Sequence, residues 1–380
     1  MGPKLKVLHV IPSLDVADGG PSVAMLRIAS ALQDRVNLTI ATTGAEESGV
    51  AGFPASTEVL RFVRQSKFYK VSLPLMFWLW RNVRKFDVVH VHALFSFAPI
   101  LAGAFALRYR KPLVIRPLGV LNSYGRARRR ANFKRLSIGL IEGPLLRRAA
   151  TVHFTSEQEA LEARSLGLNL RETVIPLSVN VEPVGNPELM RQLFPQLMGR
   201  HVLLFLARID PVKNLESLLL ALAKAKASLP LLRVLICGKG EKQYVQALQR
   251  LADDLQLGEV VIWAGALHGV EKAGAFAVAN AYILPSHSEN FGIAVVEAMA
   301  AGKPVIVSRG VPTHDAIVQA EAGWVVSTDS ESICAGILTA FAEIPRLARM
   351  GNTARALVER EYSEANMGVR IHRMYEQITS

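Results

Sequence analysis

Cysteine is almost missing from this chain. Cys237 and Cys334 are the only two in 380 residues, both in apolar contexts, so a disulfide framework or a thiolate metal centre is excluded and reduced structural thiols are expected. No run of 18 uncharged apolar residues occurs, which leaves no membrane-spanning helix to expect. The start, Met-Gly-Pro-Lys-Leu-Lys, leads straight toward a strand without a secretory pattern, and the chain reads as cytoplasmic. Histidine spacing suited to a metal is lacking as well. The one close pair, His90 and His92, is read as sitting at a strand end with its rings on opposite sides. Acidic residues are scarce in one half only. Residues 1–180 hold 25 Lys and Arg against 12 Asp and Glu, whereas residues 181–380 hold 19 against 20, so the net charge of +12 belongs to the first half. Such asymmetry points to an anionic surface or acidic partner for the first half and a small ligand for the second.

What is present is a globular pattern: 50% hydrophobic, 20% charged, with apolar residues in short periodic bursts. The length suggests two domains. Strands are expected near 5–12, 36–42, 59–63, 87–93, 112–121 and 150–155, with helices between them, and residues 173–181 lead to a linker where Pro183, Gly185 and Pro187 cluster. From residue 201 the alternation restarts with six more strands, the signature of a parallel, doubly wound sheet. Two basic stretches stand out in the first half. Residues 66–85 mix aromatic and aliphatic residues with flanking cations, which suits either an interfacial helix or one packing through Leu75, Leu79 and Val83. Residues 126–135 carry six cations in ten, Arg126, Arg128, Arg129, Arg130, Lys134 and Arg135, and read as a contact for anionic lipid or a pyrophosphate-linked acceptor.

The second half centres on residues 285–302. A buried strand ends at Pro285, a polar loop (His287, Ser288, Glu289, Asn290) follows, and apolar residues then recur at helical spacing until Gly302 and Pro304. Ser288 or Asn290 is expected to cap this helix, and Gly292 lets a ligand approach its first turn, where free N–H groups favour a phosphate. Glu289 and Glu297 flank that anion position, as hydroxyl-binding carboxylates on either side of a diphosphate would. Arg208 and Lys213, five residues apart past another strand, offer a guanidinium and an ammonium to the same diphosphate.

Glu289 and Glu297, with Asn-Phe-Gly between them and Ala-Gly-Lys-Pro-Val-Ile after, resemble the signature of retaining glycosyltransferases of the GT4 family, and Arg208 with Lys213 is similar to that family's donor pair. The resemblance implies an α/β chain of GT-B fold, two Rossmann-like doubly wound parallel-sheet domains facing a central cleft. The acceptor-binding domain would span 1–184, joined by a C-terminal helix at 363–380, and the donor-binding domain 185–362. It implies catalytic roles for Glu289, Arg208 and Lys213. Donor contacts are implied at Gly19, Gly20, Gly238, Gly265, Ala266, Leu267, Asn290, Phe291, Gly292, Ile293 and Glu297. Many relatives carry a Pro-His-Gly motif on the acceptor side where this chain has Pro117-Leu118-Gly119, so no catalytic histidine is expected at Leu118, and His92 or Arg116 is the candidate polar group on that rim. With no Asp-x-Asp near a donor loop, neither metal nor cofactor is expected. The implied activity transfers a hexose-type sugar, with retention, from a nucleotide-diphosphate donor to a saccharide or lipid-linked saccharide, as in polysaccharide, lipopolysaccharide or glycolipid synthesis at the inner face of the plasma membrane. Two other readings are a basic nucleic-acid- or membrane-binding protein without transferase activity, and a sugar-nucleotide epimerase of the same fold. The first leaves the two-glutamate motif unexplained, and the second would turn over donor without acceptor.

Overall fold

The computed structural model describes residues 3–15, 20–44, 51–66, 68–121, 136–179 and 185–380. The chain forms two compact units, Met1–Ser178 with Glu364–Ser380, and Val179–Ser363. In the first, seven parallel strands, β1 (Lys6–Ile11), β2 (Asn37–Thr43), β3 (Glu58–Phe62), β4 (Val88–His92), β5 (Leu113–Arg116), β6 (Thr151–Phe154) and β7 (Glu172–Val174), lie in the order β3-β2-β1-β4-β5-β6-β7. The five inner strands bury both faces, as parallel strands covered by helices must, while the edge strands β3 and β7 are only half-buried. Val7 and Ile11 of β1 join one apolar layer with Met25 and Ile28 of the helix Gly20–Leu32 and Met367 and Ile371 of the C-terminal helix Glu364–Thr379. Leu8 and Val10 join the opposite layer, with Leu75, Leu79 and Val83.

Those last three residues bear out the packing reading of residues 66–85. Leu75 and Leu79 of the helix Leu73–Asn82, with Val83 just beyond it, are fully buried, while Phe77 and Trp80 on its other face are 55% and 51% exposed. The run 126–135, and with it Arg126, Arg128, Arg129, Arg130, Lys134 and Arg135, lies outside the described residues, as does Gly19.

The second unit is a six-stranded parallel sheet of β8 (His201–Leu206), β9 (Leu232–Cys237), β10 (Val261–Gly265), β11 (Ala281–Leu284), β12 (Val305–Ser308) and β13 (Gly323–Val326), in the order β10-β9-β8-β11-β12-β13. Strand order reverses between β8 and β11, and in open sheets of this type ligands bind beyond the carboxyl ends of the strands at that reversal. Both cysteines are buried, and desolvation pushes the Cys237 thiol up to about 12, so it stays protonated and inert.

Candidate functional site

The loops leaving β8 and β11 meet at this reversal. After β8 the chain makes a short 3-10 turn, Pro211–Lys213, whose start is fixed by the Asp210 carboxylate accepting from the Val212 N–H at 3.1 Å. Asn214 then takes a left-handed conformation, φ 59°, and its buried amide donates to the carbonyls of Pro285 and Thr328 at 3.2 and 2.7 Å. The His287 N–H donates to the Val212 carbonyl at 2.8 Å, and the Ser308 hydroxyl to the Ser286 carbonyl, so both loops are held by backbone and short side chains. On this frame Lys213 Nζ lies 2.5 Å from Glu289 Oε1, and the Ser286 hydroxyl donates to the same oxygen at 2.6 Å. The two partners are 13% and 11% exposed, low enough that the pair is weakly screened.

Eight residues on, Glu297 is the fifth residue of the helix Ile293–Ala300, and its carboxylate accepts from Lys272 Nζ at 2.8 Å. Lys272 was not singled out from the sequence. It stands in the helix Gly269–Val278, and only its contact with Glu297 gives it meaning. The Tyr282 hydroxyl, donating to the Leu206 carbonyl at 3.0 Å, is pushed well above the usual phenol range, first by burial and then by the charges of Glu289 and Glu297. Arg208 differs from Lys213: its side chain is 74% exposed and 3.9 Å from Asp210, a loose contact that leaves it able to swing.

Neither Ser288 nor Asn290 caps the helix, contrary to expectation. The capping position is Gly292, with φ 77° and no side-chain cap bond, and the loop is strapped instead by the Glu289 N–H donating to the Gly310 carbonyl at 2.8 Å. A Cβ on Gly292 would add left-handed strain and sit 3.1 Å from Val311 Cγ1, so glycine is required here. Phe291 is buried with its ring edge-on to Tyr362 at 5.8 Å, Asn290 and Ile293 are half-buried, and Gly238 donates to the Gly265 carbonyl at 2.7 Å. That bond ties the turn after β9 to the loop where Gly265 is exposed and Ala266 and Leu267 are half-buried. Gly238 also passes so near Ala207 that a Cβ there would fall 1.9 Å from its carbonyl oxygen.

In the first unit Gly20 opens the helix Gly20–Leu32 and has open space at its α-carbon. Leu118, in the place of the family histidine, is half-buried and left-handed, φ 60°, in the turn after β5. The reading of His90 and His92 on opposite sides is wrong. Residues two apart on a strand share a face, and the two rings stack with centroids 4.4 Å apart. His9 of β1, in register with His90, completes a buried group with Tyr375 of the C-terminal helix. The Tyr375 hydroxyl lies 2.8 Å from both His9 Nε2 and His90 Nδ1, and His92 Nε2 lies 3.0 Å from His9 Nδ1. Burial is the main cause that holds His9 and His153 down at about 3 and His90 and His92 well below the ordinary imidazole value, with neighbouring imidazoles and the Arg116 charge adding to it. The signal was legible, since alternate positions of β1 and β4 carry these rings, but it was misread in phase.

Residues 19–178 match the family model described as "Glycosyl transferase 4-like domain", and residues 188–357 the one described as "Glycosyl transferases group 1". A phosphatidyl-myo-inositol mannosyltransferase of Mycolicibacterium smegmatis is 34% identical over 48% of this chain and 46% of its own length. An alpha-monoglucosyldiacylglycerol synthase of Streptococcus pneumoniae is 25% identical over 55% and 47%. The chain thus spans about half the length of the curated relatives it matches. Among solved structures, Anabaena HepE in complex with UDP and glucose superposes with a TM-score of 0.76 at 18% identity, covering 98% of this chain and 100% of that one. A sucrose-phosphate synthase from Thermosynechococcus elongatus gives 0.78 at 20%, covering 98% of each. At such identity the structural likeness speaks for the fold, GT-B.

Proposed function

This chain belongs to the group 1 glycosyltransferases of the GT4 class, and from that premise we propose that it moves a hexose-type sugar from a nucleotide-diphosphate donor to a saccharide or lipid-linked saccharide, with retention at the anomeric carbon. The observation that carries this reading is the Lys213–Glu289 pair at the strand reversal, one turn ahead of a helix whose start is an unblocked glycine. A helix start of this kind presents unpaired N–H groups and the positive end of its dipole.

In this reading the donor diphosphate draws Lys213 and Arg208, which offset charge as the nucleotide leaves, an effect concentrated in the transition state. Arg208 is loose enough to close on the phosphate, whereas Lys213 is preset by Glu289. Glu289, fixed by Lys213 and Ser286, contacts the transferred sugar. Glu297 holds the ribose hydroxyls, and its bond to Lys272 keeps it oriented. The N–H groups of Asn290, Phe291 and Gly292 bind hydroxyls or the distal phosphate, and the stretch Gly265, Ala266, Leu267 borders the base. The proposed chemistry needs no metal.

The acceptor side falls to the first unit, at an anionic membrane. Exposed Phe77 and Trp80, with Arg81, Arg84 and Lys85 beside them, provide rings for the headgroup level and cations for phosphates. Leu140 and Ile141, also exposed, add apolar area from the turn Ile138–Glu142. No helix among the described residues is long and apolar enough to cross a membrane. Thermal unfolding with a panel of UDP-, GDP- and ADP-sugars tests the donor assignment. One class is expected to raise the unfolding temperature in the wild type and to do so less in Glu297→Ala; a flat response to all three overturns it.

A further inference from the structure

Arg116 ends β5 on the face that carries the histidines. The register pairs it with His92 of β4, and the pairing of Ile115 with Val152, extended by one residue, brings His153 of β6 alongside. The guanidinium is 2% exposed, and burial lowers it only to about 10, so it is charged at neutral pH. Among the described residues it makes no hydrogen bond or ion pair, and its Nε is buried without a partner. A buried charge is normally paired, because desolvation costs several kcal/mol. The nearest carboxylate in electrostatic terms, Glu159, is already engaged: it accepts from the Gly119 N–H at 2.7 Å and from the N–H and hydroxyl of Thr155, both at 2.8 Å.

Its neighbours are in the same condition. His92 Nδ1 and His153 Nδ1 are buried and unpartnered. His153 Nε2 meets the Ile175 carbonyl at 3.1 Å, which makes Nε2 the protonated nitrogen and leaves a lone pair on Nδ1. The chain His92, His9, Tyr375, His90 has one hydrogen per link, and it can run in either direction. Run toward His92, it places a hydrogen on His92 Nδ1 with no acceptor. The guanidinium therefore lacks an acceptor, in that direction of the chain the His92 N–H on the adjacent strand end lacks one too, and His153 can accept from a protonated oxygen. Three of these rings could in principle gather a metal ion, but His9 and His90 are bonded to Tyr375, and the fixed charge of Arg116 opposes a second cation.

We propose that Arg116, with His92 and His153 beside it, binds one oxyanion, a carboxylate or phosphate borne by the acceptor, so that the acceptor is an acidic sugar. This rests on the transferase reading for the word acceptor, but the anion site itself does not.

The experiment measures thermal unfolding of wild type, Arg116→Met and Arg116→Lys at matched ionic strength with orthophosphate, D-glucuronate or D-glucose, and separately with UDP and GDP. With an anion at ten times its dissociation constant the wild type is expected to gain about 3–5 °C. Arg116→Lys should keep part of that gain and Arg116→Met none, while both variants keep the wild-type response to nucleotide. A response to phosphate beyond glucuronate marks a phosphorylated acceptor, the reverse a uronic acid. Glucose is expected to be silent. The proposal is overturned if neither anion exceeds sodium chloride, or if Arg116→Met responds as the wild type does, which would locate the anion at the donor site. It is overturned equally if zinc stabilises the wild type and the anions do not. Silence toward both nucleotides and toward ADP as well would overturn the transferase reading and leave the anion result standing. If Arg116→Met does not fold, Arg116→Lys decides through a weakened anion response with an intact nucleotide response.

Discussion

Lowering the pH from 7 to 5 should weaken the first unit far more than the second. His9 and His153 are fully buried, with imidazoles held at about 3, whereas in the unfolded chain they titrate near 6.5. Below the unfolded value the open chain binds protons that the folded one refuses, so the stability contributed by keeping these rings neutral is complete above about pH 6.5 and lost as pH falls. At pH 5 the folded rings remain neutral and the unfolded rings are almost fully charged. The loss is then set by the unfolded value alone, about 2 kcal/mol per ring or about 4 for the two. His90 and His92, also lowered, push in the same direction. Against a typical total of about 5–15 kcal/mol this is a large fraction. The second unit has no fully buried histidine among its described residues and serves as the internal control. Hydrogen exchange followed by mass spectrometry, corrected for the intrinsic pH dependence of amide exchange, reads both units in one sample. The opening free energy of peptides from β1, β4 and β5 is expected to fall by about 4 kcal/mol or more relative to peptides from β8 and β11. A relative fall under about 1 kcal/mol would show that the rings are hydrated or protonated in the native state.

Glu289→Gln keeps the shape of the site but removes the charge beside Lys213, and turnover should drop at least 100-fold, about 2.7 kcal/mol, in a steady-state transfer assay with folding retained. Unchanged turnover would remove Glu289 from the reaction. Glu297→Ala is expected to raise the donor KM about 10- to 100-fold with a smaller effect on kcat; a pure kcat effect would place it at the reacting sugar instead. Gly292→Val, forced into a left-handed conformation against Val311, should abolish stabilisation by nucleotide and lower unfolding stability by about 1–3 kcal/mol in urea titrations. Phe77→Ser with Trp80→Ser should cut sedimentation with vesicles containing anionic lipid several-fold while leaving unfolding temperature unchanged, since both rings face solvent; equal sedimentation would move the membrane contact elsewhere.

Much of the architecture could be read from the chain because parallel strands buried on both faces leave short apolar bursts. Twelve of the thirteen strands fall where one was expected, to within a residue or two, and β7 (Glu172–Val174) was not foreseen. The two-glutamate motif was equally legible, since Gly292 and the residues around it carry backbone demands that few substitutes meet. Contacts that join distant elements were not. Lys272 and Glu297 meet across 25 residues of chain through long side chains, and the strap from Glu289 to Gly310 uses backbone atoms that have no sequence signature. The histidines were visible as residues but not as a group. Their meaning depends on strand order, which sets β1 beside β4 although about eighty residues separate them.

Tyr375 holds His9 and His90 across 366 and 285 residues of chain. On the ribosome the first unit is therefore synthesised early and finished last. Its seven strands emerge well before the helix that covers their histidine face, and all of the second unit is made in between. For that interval Met25 and Ile28 of the helix Gly20–Leu32 and the His9 and His90 rings of the sheet lack the C-terminal helix that packs on them. A stop codon or frameshift near residue 364 would strand the protein in this half-covered state, with an intact second unit following a sheet that chaperones and proteases can recognise.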